Sequence, residues 1–209
     1  MSSDDTSLTY ETFGKGDTAL LFVHGWLGNK NWWNDQIKIF SRDYLVAAMD
    51  LAGHGESGKE RKEYTADLYA DDIASVADDL KMKEVILVAH SMSGAYALIA
   101  AQKIENIKAI IVVDTLKNLD MTFSSEQIET MLKMYRENFK GVVHDFLPKH
   151  LYNEKTPEKI KKQLSDEFMK YNPEFAAQAV EPLYKLDVKS LTKKVKVPVR
   201  GIFTDVSVI

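Results

Sequence analysis

Ser91 stands in the hexapeptide Ala89-His90-Ser91-Met92-Ser93-Gly94, directly after the apolar run Val85-Ile86-Leu87-Val88 and directly before a helical pattern. A serine at a sharp strand-to-helix turn, with small residues two before and two after it, has the arrangement of a nucleophile elbow. The small neighbours matter because such a turn is strained and its helix packs close to the strand. Ala89 and Ser93 stand where glycines are usual, and both are small enough for the turn. The other reading of the hexapeptide is a surface serine that caps a helix over 92–104. The chemistry open to an elbow serine is acyl transfer, in which its hydroxyl attacks a carbonyl carbon.

Acyl transfer also needs N–H donors aimed at the oxyanion that develops. One comes from the residue after the nucleophile, here Met92, and the other from the loop after an earlier strand. His24-Gly25-Trp26-Leu27-Gly28 follows an apolar run and offers Trp26 as that second donor, its glycines letting the loop turn its amides inward. Trp32 and Trp33 come next and can wall a substrate pocket; Trp26, Trp33 and Met92 are the expected substrate contacts. A third motif, Asp50-Leu51-Ala52-Gly53-His54-Gly55-Glu56-Ser57-Gly58, reads as structural, with Asp50 and Ser57 bonding loop backbone.

The elements that must position these residues are legible as alternating runs. Residues 19–23, 45–49, 85–89 and 109–113 are continuously apolar, as expected of parallel strands covered on both faces. Residues 197–203 read as a fifth strand. A weaker strand over 8–13 precedes the turn Gly14-Lys15-Gly16-Asp17 and is expected to pair antiparallel with the next strand. Helices are expected over 31–42, 65–81 and 92–104, the second with Tyr69, Ile73, Val76 and Leu80 on one stripe. Strands alternating with helices imply βαβ units.

From 117 to 196 the strand pattern stops. Ile128, Met131, Leu132, Tyr135 and Phe139 form one helical stripe over 125–139. Thr156-Pro157-Glu158 and Asn172-Pro173-Glu174 each read as an N-cap with proline in the first turn, opening helices at about 157–171 and 173–186. Residues 1–116 carry 11 Lys/Arg against 18 Asp/Glu, whereas 117–196 carry 15 against 12, so the helical block differs in character from what surrounds it. The domain reading is a core of 1–116 with 197–209 and a helical cap of 117–196. Met131, Met134, Tyr135, Phe139, Phe168 and Met169 are cap residues that either line an apolar pocket or fill the cap's own core.

The 209 residues have a net charge of −4, which gives nucleic-acid binding no electrostatic footprint. There is no cysteine, hence no disulfide framework and no thiolate chemistry. The acidic start Met1-Ser2-Ser3-Asp4-Asp5 is unlike a signal peptide, and no run has membrane-spanning length. A cytoplasmic protein without membrane or nucleic-acid partners is the expectation. No metal-ligand spacing and no Gly-x-Gly-x-x-Gly after a strand is present, so no cofactor is implied.

Three motifs in this order, each after a strand, make the chain resemble the α/β-hydrolase superfamily, its serine esterase and lipase-like branch with a helical cap, from Leu8 to about Asp205. The resemblance implies a mostly parallel sheet flanked by helices, Ser91 as nucleophile, and Trp26 and Met92 as oxyanion donors. It implies an acid at Asp205, with Asp114 in Val112-Val113-Asp114-Thr115 as the alternative. It implies a small ester or related acyl substrate; cofactor-free haloperoxidase or perhydrolase chemistry and C–C bond hydrolysis are also within it. Serine at 91 disfavours the haloalkane dehalogenase branch. The family's histidine belongs on a later loop, and no histidine follows His150. His90 is expected to point away from Ser91, His24 to organise the oxyanion loop, His54 to bond within its loop, and His144 and His150 to sit on the cap. The expectation is therefore a chain that stops before its base and before a final strand and helix, with impaired activity. Its strand over 197–203 is then left at the sheet edge, a place for self-association. The rival expectation is a non-catalytic small-molecule-binding module on the same scaffold.

Overall fold

The computed structural model describes residues 1–204. Its strands are β1 (Thr9–Phe13), β2 (Thr18–Val23), β3 (Leu45–Asp50), β4 (Glu84–His90), β5 (Ile107–Val113) and β6 (Val199–Ile202). They form one sheet in the order β1-β3-β2-β4-β5-β6. All pairings except that of β1 are parallel. The continuous apolar runs fill the sheet's interior, β2 and β3 being buried along all but their first residues. This is the mostly parallel, helix-flanked α/β architecture expected.

Residues 8–13 do pair antiparallel, but with β3 rather than with β2: Thr9 lies opposite Asp50 and Phe13 opposite Val46. Both edges of β2 are taken by β3 and β4. A strand as apolar as β2 belongs inside the sheet, whereas β1, exposed over its last three residues, suits an edge. The turn at Gly14 requires glycine, since φ is +75° and a Cβ there would collide with the carbonyls of Ser41 and Tyr44.

Three helices alternate with these strands: α1 (Asn34–Phe40), α2 (Ala66–Asp79) and α3 (Met92–Ala100). The helix expected over 31–42 splits in two. Asn29 accepts the Asn31 N–H at 3.0 Å and opens a 3₁₀ turn, Lys30–Trp33, before α1 begins. α2 and α3 pack on each other and on one sheet face, burying Tyr69, Ile73, Tyr96 and Leu98. Trp33 and Ile37 cover Phe22, Val46 and Val88 on the other face.

Between β5 and β6 the chain is helical: α4 (Ser125–Glu137), α5 (Phe139–Gly141), a π-helical turn Val142–Phe146, α6 (Leu147–Leu151), α7 (Glu158–Phe168), α8 (Pro173–Tyr184) and α9 (Val188–Thr192). α4 opens with a reciprocal box, Ser124 and Gln127 each bonding the other's backbone N–H. Asn172 caps α8 as expected, accepting from Phe175 N–H at 2.7 Å. Thr156 does not cap α7. Pro157 is extended, at ψ 137°, so the helix starts at Glu158, and the Thr156 hydroxyl instead closes a turn with Asn153. α4 packs on α8, and the inserted helices build their own core around Ile128, Leu132, Tyr135, Phe139 and Val180. Val188, Leu191 and Val195 pack instead on the main core. Among the described residues, no helix is long and apolar enough to cross a membrane. β6 ends the sheet beside β5, with Ile202 at 60% and Phe203 at 50% exposure.

Candidate active site

The C-terminal ends of the parallel strands carry the motifs. At the end of β4 the backbone bends sharply: Ser91 has φ +51° and ψ −120°, a conformation that an L-residue holds only when its surroundings impose it. Its N–H donates to the Val113 carbonyl at 2.9 Å, and α3 starts at the next residue. The Ser91 side chain caps none of the helix's amides, which rules out the capping role. Ala89 and Ser93 are fully buried in this bend, and a Cβ on Gly94 would collide with the Thr115 side chain. Smallness is therefore demanded at these places by contact. Ser93 does more than stay small. Its hydroxyl donates to the His24 carbonyl and ties the elbow to the loop after β2.

That loop folds as a tight turn, Gly28 N–H to Gly25 carbonyl at 3.1 Å, with Leu27 at φ +54°. In such a turn the N–H of the first central residue, Trp26, is not used by the turn itself. Met92 opens α3, so its N–H has no intrahelical acceptor. Gly25 sits against the elbow: a Cβ there would stand 3.0 Å from Ser91 Cβ and 3.0 Å from His90 Nδ1. Trp26, Met92 and Ser91 line one cavity of 530 Å³, roofed by inserted helices. The Trp26 indole reaches across it and donates to the Ala176 carbonyl of α8 at 2.8 Å.

Of the adjacent tryptophans, Trp32 faces this cavity and Trp33 does not. Trp33 is packed against Phe22, ring centroids 4.9 Å apart, on the sheet face covered by α1. In a 3₁₀ turn successive side chains point about a third of a turn apart, so only one of the pair can face the site. Trp33, expected as a substrate contact, is thus core packing and does not line the cavity; Trp32 does, and its indole N–H donates to Glu167 of α7 at 2.6 Å. Of the apolar residues expected on the insertion, Tyr135 and Phe168 line the cavity. Met131, Met134 and Phe139 pack in the insertion's own core, and Met169 is exposed.

Asp114 follows β5 with φ +51° and lines the same cavity as Ser91. Its carboxylate accepts the Thr204 N–H at 2.9 Å and the Thr204 hydroxyl, and pairs with Lys117 at 2.6 Å. Partial burial opposes its charge, but Lys117 and Thr204 outweigh that and hold its pKa at about 2. Asp205 lies outside the described residues.

His24 is fully buried, with Nδ1 2.7 Å from the Gly25 carbonyl and Nε2 accepting the Leu51 N–H at 3.1 Å. It thus joins the Trp26 loop to the Asp50–Gly58 loop as a neutral ring. Burial is the main cause that lowers its pKa to about 4. His54 is buried against His24, Phe175 and Tyr171, and burial depresses its pKa further below the ordinary value. His90 does not point away: it lines the cavity beside Ser91 and meets Trp32 and Trp33 with its ring. Burial lowers its pKa, while the charge of Asp114 acts in the opposite sense. His144 bonds Ser165 and His150 bonds the Phe146 carbonyl, both on exposed helix surface.

Asp50 organises the third motif from inside. It accepts the N–H of Lys30 at 2.6 Å and of Glu56 at 2.9 Å, while the Ser57 hydroxyl donates to its carbonyl at 2.6 Å. Tyr171 of the insertion donates to the Gly28 carbonyl at 3.2 Å and accepts from Gly55 N–H at 3.4 Å. Glu167 and Tyr171 carry no signal as site residues in the sequence, nor does the bond of Ser93 to His24, since each acts on a loop far away along the chain.

Residues 18–180 match the family model described as alpha/beta hydrolase fold. A 3-oxoadipate enol-lactonase of Acinetobacter baylyi is 26% identical over 207 residues, 95% of this chain and 75% of that protein. A non-heme chloroperoxidase of Kitasatospora aureofaciens is 38% identical over 92 residues, 44% of this chain and 33% of that protein. A non-heme haloperoxidase of Rhodococcus erythropolis is matched over 34% of its length, so the chain spans about a third of the length of the two peroxidases it matches. The structure of an esterase from Exiguobacterium antarcticum aligns with a TM-score of 0.83 at 19% identity, covering 96% of this chain and 78% of that one. The enol-lactonase from Burkholderia xenovorans LB400 gives 0.82 at 20%, covering 97% and 79%.

Proposed function

The chain belongs to the alpha/beta hydrolase fold family, and from that premise we propose that it is a hydrolase of small carboxylic esters or related acyl compounds, working through a Ser91 acyl-enzyme. The observation that carries the reading is the strained Ser91 backbone lining a cavity shared with Trp26 and Met92. Ser91 Oγ attacks the ester carbonyl, and the carbonyl electron pair moves onto oxygen. The N–H groups of Trp26 and Met92 hold that oxyanion; one such donor is worth about 10² to 10³ in turnover. The C–O bond to the alcohol then breaks, the alkoxide takes a proton, and water releases the acid from Ser91.

The proton from Ser91 needs a base, oriented by Asp205 or by Asp114. His24 and His54 are engaged with backbone inside the core, and His144 and His150 with the surface of the inserted helices; His90 lines the cavity, its ring set against Trp32 and Trp33. Loss of one triad member costs about 10⁴ to 10⁶ in turnover in well-studied enzymes. Without a base in reach of the Ser91 hydroxyl, oxyanion stabilisation and binding are the catalysis that remains. The 38% identity to a chloroperoxidase favours a second reading, cofactor-free haloperoxidase chemistry on the same serine; halogenation of a phenol that Ser91→Ala abolishes would select it. The hydrolase reading is tested by covalent capture of Ser91 with an alkyl fluorophosphonate, and an adduct at any other residue in its place counts against it.

A further inference from the structure

We propose that the cavity beside Ser91 selects neutral acyl compounds and rejects those whose acyl chain ends in a carboxylate. The proposal rests on the acyl-enzyme reading for where the ester sits, but not on turnover.

The lining is mostly apolar, its polar side chains being Ser91, His90, Asp114, Thr156 and three tyrosines. Trp32, Leu147, Leu164, Phe168 and Leu183 form its walls. Leu151 and Ile160 also line it, although they are 53% and 43% exposed, so its mouth is apolar as well. Two of the lining hydroxyls are turned on each other, Tyr135 and Tyr184 sharing a hydrogen bond of 2.7 Å, and that of Thr156 is turned to Asn153. Tyr135 is held neutral by burial, as is Tyr184.

Charge points the same way. Among the described lining residues there is no lysine or arginine. The ionised group there is Asp114, which Lys117 already pairs at 2.6 Å from outside the lining. Its ionised form is the stable one, and His90 beside it is biased to the neutral ring by burial. A carboxylate entering this space would lose water and meet no lysine or arginine among the described lining residues, only Asp114, uncharged polar groups and mostly apolar walls. An unpaired buried charge is among the most unfavourable arrangements in a protein. A neutral chain of the same length loses nothing and buries its methylenes. The 530 Å³ volume suits one small organic molecule.

The test measures binding to the Ser91→Ala variant of the whole chain, followed by quenching of the tryptophan fluorescence to which Trp26 and Trp32 in the cavity contribute. The probes are ethyl hexanoate and monoethyl adipate, which differ by a terminal carboxylate. At pH 7 the neutral ester is expected to bind at least tenfold more tightly. Ile160→Arg, at an exposed position on the rim, is expected to shrink that ratio severalfold by offering the adipate a partner. Equal or tighter binding of monoethyl adipate by the unaltered cavity overturns the proposal, and so does failure of both probes to bind. Neither outcome depends on capture of the Ser91 hydroxyl, so failure of the acyl-enzyme reading would show separately.

Discussion

Replacing Ser91 by glycine should make the protein more stable while removing its chemistry. Ser91 holds φ +51° and ψ −120°, outside the ordinary regions for an L-residue. Backbone strain of this kind costs about 1–3 kcal/mol. Glycine adopts positive φ without that cost, but its freer unfolded chain takes back about 0.5–1 kcal/mol. The Ser91 hydroxyl caps no helix amide, so its loss adds little. The net gain is about 1 kcal/mol, or about 2–4 °C in melting temperature for a domain of this size. Ser91→Ala is the control. Alanine removes the same hydroxyl and keeps the strain, so it should melt close to the parent. At an unstrained position the order would reverse, glycine lying about 0.5–1 kcal/mol below alanine. Calorimetric melting of the three proteins side by side reads the sign directly. A glycine variant that melts below the alanine variant would refute the argument that the elbow stores strain.

Three further outcomes follow from particular contacts. Gly25→Ala places a methyl 3.0 Å from Ser91 Cβ and from His90 Nδ1, so the Trp26 loop or the elbow must give by a few tenths of an ångström; since a misplacement of about 1 Å is worth about 10²-fold, severalfold slower phosphonylation of Ser91 with a similar melting temperature is expected, and unchanged capture kinetics would contradict it. His24, neutral and buried, has a folded pKa of about 4 against 6.5 when free. The unfolded chain therefore binds the extra proton first as pH falls, and the stability that is fully present above about pH 6.5 drains towards pH 4. His24 alone should cost about 2 kcal/mol by pH 5, with His54 adding in the same direction. A urea midpoint that does not fall between pH 7.5 and pH 5 would exclude this. Finally, β6 ends the sheet with Ile202 and Phe203 exposed, and light scattering should detect self-association that Ile202→Lys reduces; a monomer at all concentrations would remove the edge from consideration.

The sheet was readable because its central strands are uninterrupted apolar runs, and burial on both faces admits little else. The elbow was readable because small residues, an apolar strand and a helix meet within six positions. What escaped the sequence has a physical pattern. The partner of β1 depends on which edges the more apolar strands leave open, and that is a property of the whole sheet. Trp32 and Trp33 differ only in the phase of one 3₁₀ turn. Thr156 lost its cap because Pro157 remained extended and moved the helix start by one residue. The bonds from Ser93 to His24, Glu167 to Trp32 and Tyr171 to Gly28 span many tens of residues, and no local spacing encodes them. Helical segments over 139–151 and 188–192 carried too short a stripe to be read. The proposed roles of Ser91, Trp26, Met92 and Asp114 draw on a hydroxyl, two backbone N–H groups and a carboxylate from three loops gathered at one cavity.

The most direct measurement of the central claim is mass-spectrometric mapping of an alkyl fluorophosphonate adduct, timed with and without added imidazole as a surrogate base. The account predicts one phosphonyl group, on the peptide holding Ser91, forming slowly alone and faster with imidazole, and absent from Ser91→Ala. No adduct at Ser91 under either condition, or an equal adduct in the alanine variant, would contradict it.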